Sequence, residues 1–255
     1  MSGHSKWSSI KHKKGKADLE RGKIFSKLIM EITNAARIGG GDVNANPRLR
    51  TSIESARAVN MPADNIERAI KKGTGELPGI SYEEIEYEGY GPGGVAMIVK
   101  AITDNKNRTT AEIRHTFAKY GGNLGNAGCV AWQFLPKGLI MIPREGNDED
   151  KIFSIALEGG ADDVKTDVDS YQVITPPENF EKIKKQFEAE KIKYSHAELT
   201  RVPQNSVSLD EKTAERVLKL YELLEEHIDV QQVFGNFDIS EEIMEKLSAE
   251  VMNKE

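Results

Sequence analysis

Residues 138–202 hold a complete set of folding elements in the middle of the chain, and this limits how the rest can fold. GLIMI reads as a short apolar strand, KIFSIALEGG as a helix, DDVKTDV and SYQVITPP as strands, NFEKIKKQFEAE as a second helix and KYSHAELTRV as a last strand. The order is β-α-β-β-α-β, the ferredoxin-like arrangement, which closes on its own core. The flanks are each incomplete. Before it, IEYEG and VAMIVKAI read as strands joined by the hairpin YGPGG, followed by a helix over TDNKNRTTAEIRHTFAKYGG and a short strand VAWQF. In that helix Thr109 and Glu112 have capping-box spacing. After the insert, a second such box at Ser208 and Glu211 opens the helix SLDEKTAERVLKLYELLEEH, and DVQQVFGNF supplies one more strand. Joined, 77–137 and 203–255 make one discontinuous α+β domain, with 138–202 inserted and Pro136 and Pro203 expected at the crossings.

Upstream, the period is that of a helix. Phe25, Leu28, Ile29, Ile32 and Ala36 form one apolar stripe, with Lys16, Lys23 and Lys27 on the opposite face. GGGDVNANP ends this helix. Asn46 caps a second, with Pro47 at its first position, and Met61-Pro62 opens a third that stops at Lys72-Gly73-Thr74-Gly75. Residues 17–76 are expected as a three-helix domain and 1–16 as a basic arm with almost no apolar periodicity. The expected fold class is therefore α+β in three domains, one helical and two α+β, with one of the latter inserted into the other.

The charge is segregated along this plan. Residues 1–27 carry eight Lys/Arg against Asp18 and Glu20, a local +6, whereas the whole chain carries −6. Residues 1–72 hold fifteen basic and seven acidic side chains, leaving twenty basic against thirty-four acidic from residue 73 onward. A basic end on an acidic body points to a polyanion partner. The single cysteine, Cys129, excludes an intramolecular disulfide framework and a Cys-rich zinc site. No run of eighteen apolar residues exists, and Lys27 and Glu31 interrupt the only candidate signal core, so a cytoplasmic protein without membrane association is expected.

No motif calls for catalysis, a cofactor, a metal or a small-molecule substrate. GPGG at 91–94 lacks the Lys-Ser/Thr of a phosphate loop and reads as a turn. GGNLGNAG at 121–128 follows a helix C-terminus, where the dipole disfavours phosphate, and is read as a turn free to contact a partner. Glu112 and His115 form one E-x-x-H with no second copy and are expected as a solvent-facing pair; Cys129 is expected as a small buried residue at a strand start. The carboxylates of EEIEYE and ELLEEH read as solvated faces. The arm is different: Lys6, Lys11, His12, Lys13, Lys14 and Lys16, backed by Lys23 and Lys27, neutralise phosphates, and Trp7 can stack on a base. Lys106 and Arg108 add a second basic loop.

These residues also carry a resemblance. GHSKWSSIKHKKGKAD, RGKIFSKLIMEI, NPRLR, NMPADNIERAIKKGTG, YEGYGPGGVAMIV, TDNKNRTTAEIRHTF and GGNLG are together similar to the YebC/PmpR family. Its members include bacterial probable transcriptional regulators and the mitochondrial translational activator of cytochrome c oxidase subunit I. The resemblance spans the chain and is most specific up to about residue 138; because it begins at Ser2, it implies a bacterial cytoplasmic member without a presequence. It implies the same three-domain fold and non-enzymatic control of gene expression. The partner is nucleic acid, either promoter DNA in transcription regulation or ribosomal RNA on the ribosome in translation regulation. The bacterial family label places DNA binding first.

Overall fold

The computed structural model describes residues 17–240, 242–244 and 246–247. Two compact units divide the chain, 1–132 with 205–255, and 133–204. The fold class is the expected α+β, with an N-terminal helical domain and two α+β domains.

The helical domain consists of α1 (Ala17–Gly39), α2 (Pro47–Ala58) and α3 (Ala63–Thr74). Asn46 caps α2 as its position predicts, its side chain accepting from the Leu49 amide at 3.1 Å, while Pro47 fills a first-turn position that has no use for an N–H. Ile32, Ala35, Ala36, Leu49, Ile53, Ala56, Ile66 and Ala69 make its core, with Phe25, Leu28 and Ile29 packed at its edge. Gly73 lets α3 approach α1 closely, since a Cβ there would collide with the Thr33 carbonyl and the Ala36 methyl.

The same unit continues into a sheet of order β3-β1-β2-β9, all antiparallel: β1 (Glu83–Tyr90), β2 (Ala96–Thr103), β3 (Asn123–Leu124) and β9 (Val230–Gly235). The β1–β2 hairpin turns through Gly93 and Gly94 at φ of 72° and 77°, as the GPGG reading requires. Two helices, α4 (Lys106–Lys119) and α7 (Glu211–Glu226), cover it. Between them and the sheet lies a core of Val95, Met97, Val99, Ile113, Phe117, Val217, Leu220 and Tyr221, which Met244 and Leu247 help close. Short β8 (Val207–Ser208) and β10 (Phe237–Asp238) pair in parallel beside it.

The second unit has the sheet order β5-β6-β4-β7, fully antiparallel, from β4 (Phe134–Pro143), β5 (Asp163–Thr166), β6 (Ser170–Thr175) and β7 (His196–Pro203). Helices α5 (Glu149–Gly159) and α6 (Pro177–Ala189) pack on it over Ile140, Ile142, Ile152, Val173, Ile183 and Phe187. This is the ferredoxin-like order. Pro136 sits within β4, where only β7 pairs with it, so its missing N–H can face the unpaired side.

Three local expectations are corrected. The cap of α4 is Asn105, accepting from the Arg108 amide at 3.1 Å, and that of α7 is Asp210, accepting from the Thr213 amide at 2.8 Å. The Thr109/Glu112 and Ser208/Glu211 boxes are therefore not used: Thr109 lies inside α4, behind the stronger cap Asn105, and Ser208 belongs to β8, two residues before the cap Asp210. VAWQF is not a strand: Ala131–Gln133 is a 3-10 turn, and only Phe134 belongs to β4.

Candidate nucleic-acid interface

Seven of the expected contact residues, Lys6, Trp7, Lys11, His12, Lys13, Lys14 and Lys16, lie outside the described residues. The chain they belong to enters α1, on which Lys23 is exposed and the Arg21 guanidinium lies 5.4 Å from the centre of the Phe25 ring. Lys27 is not on a free basic face. Its Nζ donates at 2.5 Å to the carbonyl of Glu225, in the last turn of α7, where a helix leaves carbonyls without internal partners and favours a cation.

Two of the remaining basic residues of the helical domain, Arg48 and Lys71, are paired with acids. Arg48 makes a bidentate pair with Glu31 at 2.7 and 3.0 Å and reaches Glu84 on β1 at 2.8 Å. The hydrogen bond to Glu31 raises its pKa further, and Asn34 donates to the same Glu84 carboxylate at 3.2 Å. On α2, Arg50 and Arg57 share helical spacing with Glu54; on α3, Arg68 shares it with Asp64, and Lys71 pairs with Glu67. Residues 17–76 hold ten basic and eight acidic side chains, whereas 1–16 hold five basic and no acidic ones. The uncompensated positive charge is thus concentrated before α1.

Lys106 is exposed in the first turn of α4. Arg108, two residues on, is committed to the protein: its Nη2 lies 2.9 Å from Asp104 and 2.8 Å from the buried Asp229. Asp229 also accepts from the Thr109 hydroxyl at 2.6 Å. Burial pushes the Asp229 carboxyl up, but hydrogen bonds from Thr109 and Arg108 overrule it and hold the group below its ordinary value. A carboxyl depressed in the folded state contributes stability that is present above its unfolded pKa of about 3.9 and lost as pH falls through the folded value. Asp229→Asn is expected to destabilise the protein by about 2–4 kcal/mol at pH 7 and to flatten this acid limb. Denaturant melts from pH 7 to 3 would refute it if the variant kept the parent's pH dependence.

The loop between β3 and β4 is organised by Glu88, which ends EEIEYE and is buried, not part of a solvated face as expected. Glu88, buried on β1, accepts the backbone N–H groups of Gly128 at 2.6 Å, Val130 at 2.8 Å and Ala131 at 2.7 Å. These amides cannot then join a ladder, which is why VAWQF turns. The loop presents Trp132 with 66% of its surface exposed, its indole N–H on the Cys129 carbonyl at 3.1 Å. Cys129 is half-buried in this loop and not at a strand start; burial first, and the Glu88 charge second, push its thiol up, which disfavours a thiolate nucleophile. Only the large aromatic beside a glycine-rich stretch could have marked Trp132 in the sequence.

Glu112 does not pair with His115. Its carboxylate lies 2.8 Å from His227 Nε2, and the ring's Nδ1 accepts from the Asp229 amide at 3.1 Å, which puts the ring proton on Nε2. Among the described residues Glu112, His227 and Asp229 are the one triad close enough to share an ion. Nδ1 is already an acceptor and Asp229 already serves Arg108 and Thr109, so the triad's geometry is that of a hydrogen-bond network. No helix among the described residues is long and apolar enough to cross a membrane.

Residues 5–76 match the TACO1/YebC protein N-terminal domain, and residues 82–237 match the TACO1/YebC second and third domain. The chain belongs to the TACO1/YebC family. TACO1/YebC relatives include a probable transcriptional regulatory protein of Geobacter sulfurreducens, 58% identical over 97% of this chain and 100% of its own length. Another, from Syntrophus aciditrophicus and of the same name, is 58% identical over 98% of this chain and 100% of its own length. Among solved structures, a conserved hypothetical protein of Aquifex aeolicus superposes with a TM-score of 0.80 at 50% identity, covering 88% of this chain and 93% of that one.

Proposed function

We propose that the protein is a non-enzymatic, nucleic-acid-binding regulator of gene expression that acts on DNA as a transcriptional regulator. The observation that carries this is the segregation of charge, five basic and no acidic side chains over residues 1–16 on a chain of net −6. Lys6, Lys11, Lys13, Lys14 and Lys16 meet phosphates, Trp7 and His12 add stacking and hydrogen bonds, and Lys23 and Lys106 extend the basic surface. Arg108 contributes less, being held by Asp104 and Asp229. The names of the relatives, probable transcriptional regulatory proteins, support the choice of DNA.

One observation favours a second reading, ribosomal RNA as the target and translation as the process. The exposed arginines and lysines of α2 and α3 alternate with Glu54, Asp64 and Glu67, so neither helix offers the continuous basic face that suits insertion into a duplex groove. A basic arm carrying an aromatic suits folded RNA, which is read by shape and stacking. Crosslinking in cells followed by sequencing of bound DNA and RNA separates the two. Promoter-enriched DNA is the expected result; ribosomal RNA enrichment with no promoter peaks would overturn the transcriptional reading in favour of the ribosomal one.

A further inference from the structure

The ferredoxin-like unit has a second face that its core does not use. On α5, Ile152, Ala156 and Gly159 are buried toward the sheet, and Gly159 sits so close to Ile183 of α6 that no Cβ would fit. Phe153 and Leu157 sit one position further round, spaced i and i+4, with 40% and 79% of their surfaces exposed. With Val164 of β5 they line a groove of about 900 Å³. Single exposed leucines are ordinary, but two large apolar side chains on one stripe lining a groove mark a contact surface.

Carboxylates stand at both ends of this stripe. Asp148, Glu149 and Asp150 precede or open α5, and Asp162 and Asp163 follow it; all five line the groove. Two of their cationic neighbours are exposed and distant, Arg144 at 3.9 Å from Glu149 and Lys165 at 3.8 Å from Asp163, while the partly buried Lys137 is close, at 2.9 Å from Asp162. Residues 144–169 carry nine acidic and three basic side chains, a local −6 equal to the net charge of the whole chain. The five carboxylates repel phosphate and other anions, and Ser154 supplies the one side-chain hydroxyl of the lining.

We propose that the groove between α5 and β5 is a docking surface for an amphipathic helical segment, rich in lysine or arginine, of a partner protein. A helix bearing two apolar residues at i and i+4 places them over Phe153 and Leu157, and basic residues a turn to either side meet the two acidic ends. Electrostatics then sets encounter rate and register, and the apolar contact sets affinity. This surface is independent of the nucleic-acid reading, because no residue in it belongs to the basic arm.

The probe is a fluorescein-labelled peptide of fifteen residues, lysine throughout except for leucines at two positions four apart, titrated with the full-length protein by fluorescence anisotropy. A control peptide has serine in place of both leucines. The parent protein is expected to bind the leucine peptide at least ten-fold more tightly than the control, with affinity falling as salt rises. Phe153→Ser with Leu157→Ser should remove that ten-fold difference, and Asp150→Asn with Asp163→Asn should weaken binding and flatten the salt dependence. Thermal melts of both variants should match the parent, since neither pair belongs to the core. Equal binding of the two peptides, or unchanged binding by the variants, overturns the proposal. So does a ten-fold gain on deleting residues 1–16, which would assign the groove to the chain's own arm.

Discussion

Replacing Lys11, Lys13, Lys14 and Lys16 by glutamate is expected to reduce nucleic-acid affinity by about a thousand-fold or more at 50 mM salt, and to abolish most of its salt dependence. With roughly five phosphate contacts the parent should show a log-log salt slope of about −4.5 on duplex, or about −3.5 on single strands. Affinity on duplex would then fall roughly 500-fold between 50 and 200 mM salt. The variant loses four contacts and adds four repulsive charges, so its slope should be flatter than about −1. Stability should be unchanged, because the apolar core of the helical domain draws on no described residue before Phe25. Trp7→Ala is the contrasting substitution: stacking releases few counterions, so binding should weaken while the slope stays. It also leaves Trp132 as the one tryptophan of the chain. A four-fold glutamate variant that binds as tightly as the parent, with the same slope, would reduce the arm to a solubilising tail. Lys106 and Lys23 would then be the next residues to reverse.

The prediction rests on a contrast between two basic segments that look alike in sequence. TDNKNRTT and KHKKGK are both short and polar with clustered cations. In the first, Arg108 is drawn to Asp229, 121 residues away, and Asn105 turns the preceding backbone into a helix cap. No local pattern could announce that pairing. The helical stripe of α1, the hairpin at Gly93 and Gly94, and the β-α-β-β-α-β order were legible because each is written in the period of nearby apolar residues. The capping boxes misled for a related reason. Spacing alone cannot choose between Thr109 and Asn105 when Thr109 has a better partner in Asp229. Lys27 reads as solvent-facing by periodicity, yet it satisfies a helix end that approaches only in the folded chain.

Glu88 shows the same limit and gives the largest expected effect on stability. In EEIEYEGY it alternates with Glu84 and Glu86 and looks like one more solvated carboxylate, but burial along β1 deepens from its first residue to Gly89. At Glu88 the side chain is 6% exposed, and its two oxygens take three backbone N–H groups from residues 40 to 43 positions on. Each hydrogen bond to a charged group is worth about 1.5–3 kcal/mol, and removing the acceptor strands three amides, the last of which opens the turn Ala131–Gln133. Glu88→Ala should therefore cost about 3–5 kcal/mol, lowering the melting temperature by roughly 10 °C for a chain of this size. Glu88→Gln should cost less, since its carbonyl oxygen still accepts while its amide nitrogen opposes a donor. Hydrogen exchange at Gly128, Val130 and Ala131 should accelerate in both variants well beyond exchange in β2, and the fluorescence of Trp132 should report the released loop. If those three amides kept their protection in Glu88→Ala, the carboxylate would not be what holds the loop, and the turn at Ala131–Gln133 would have to be set by the packing of Val130 alone.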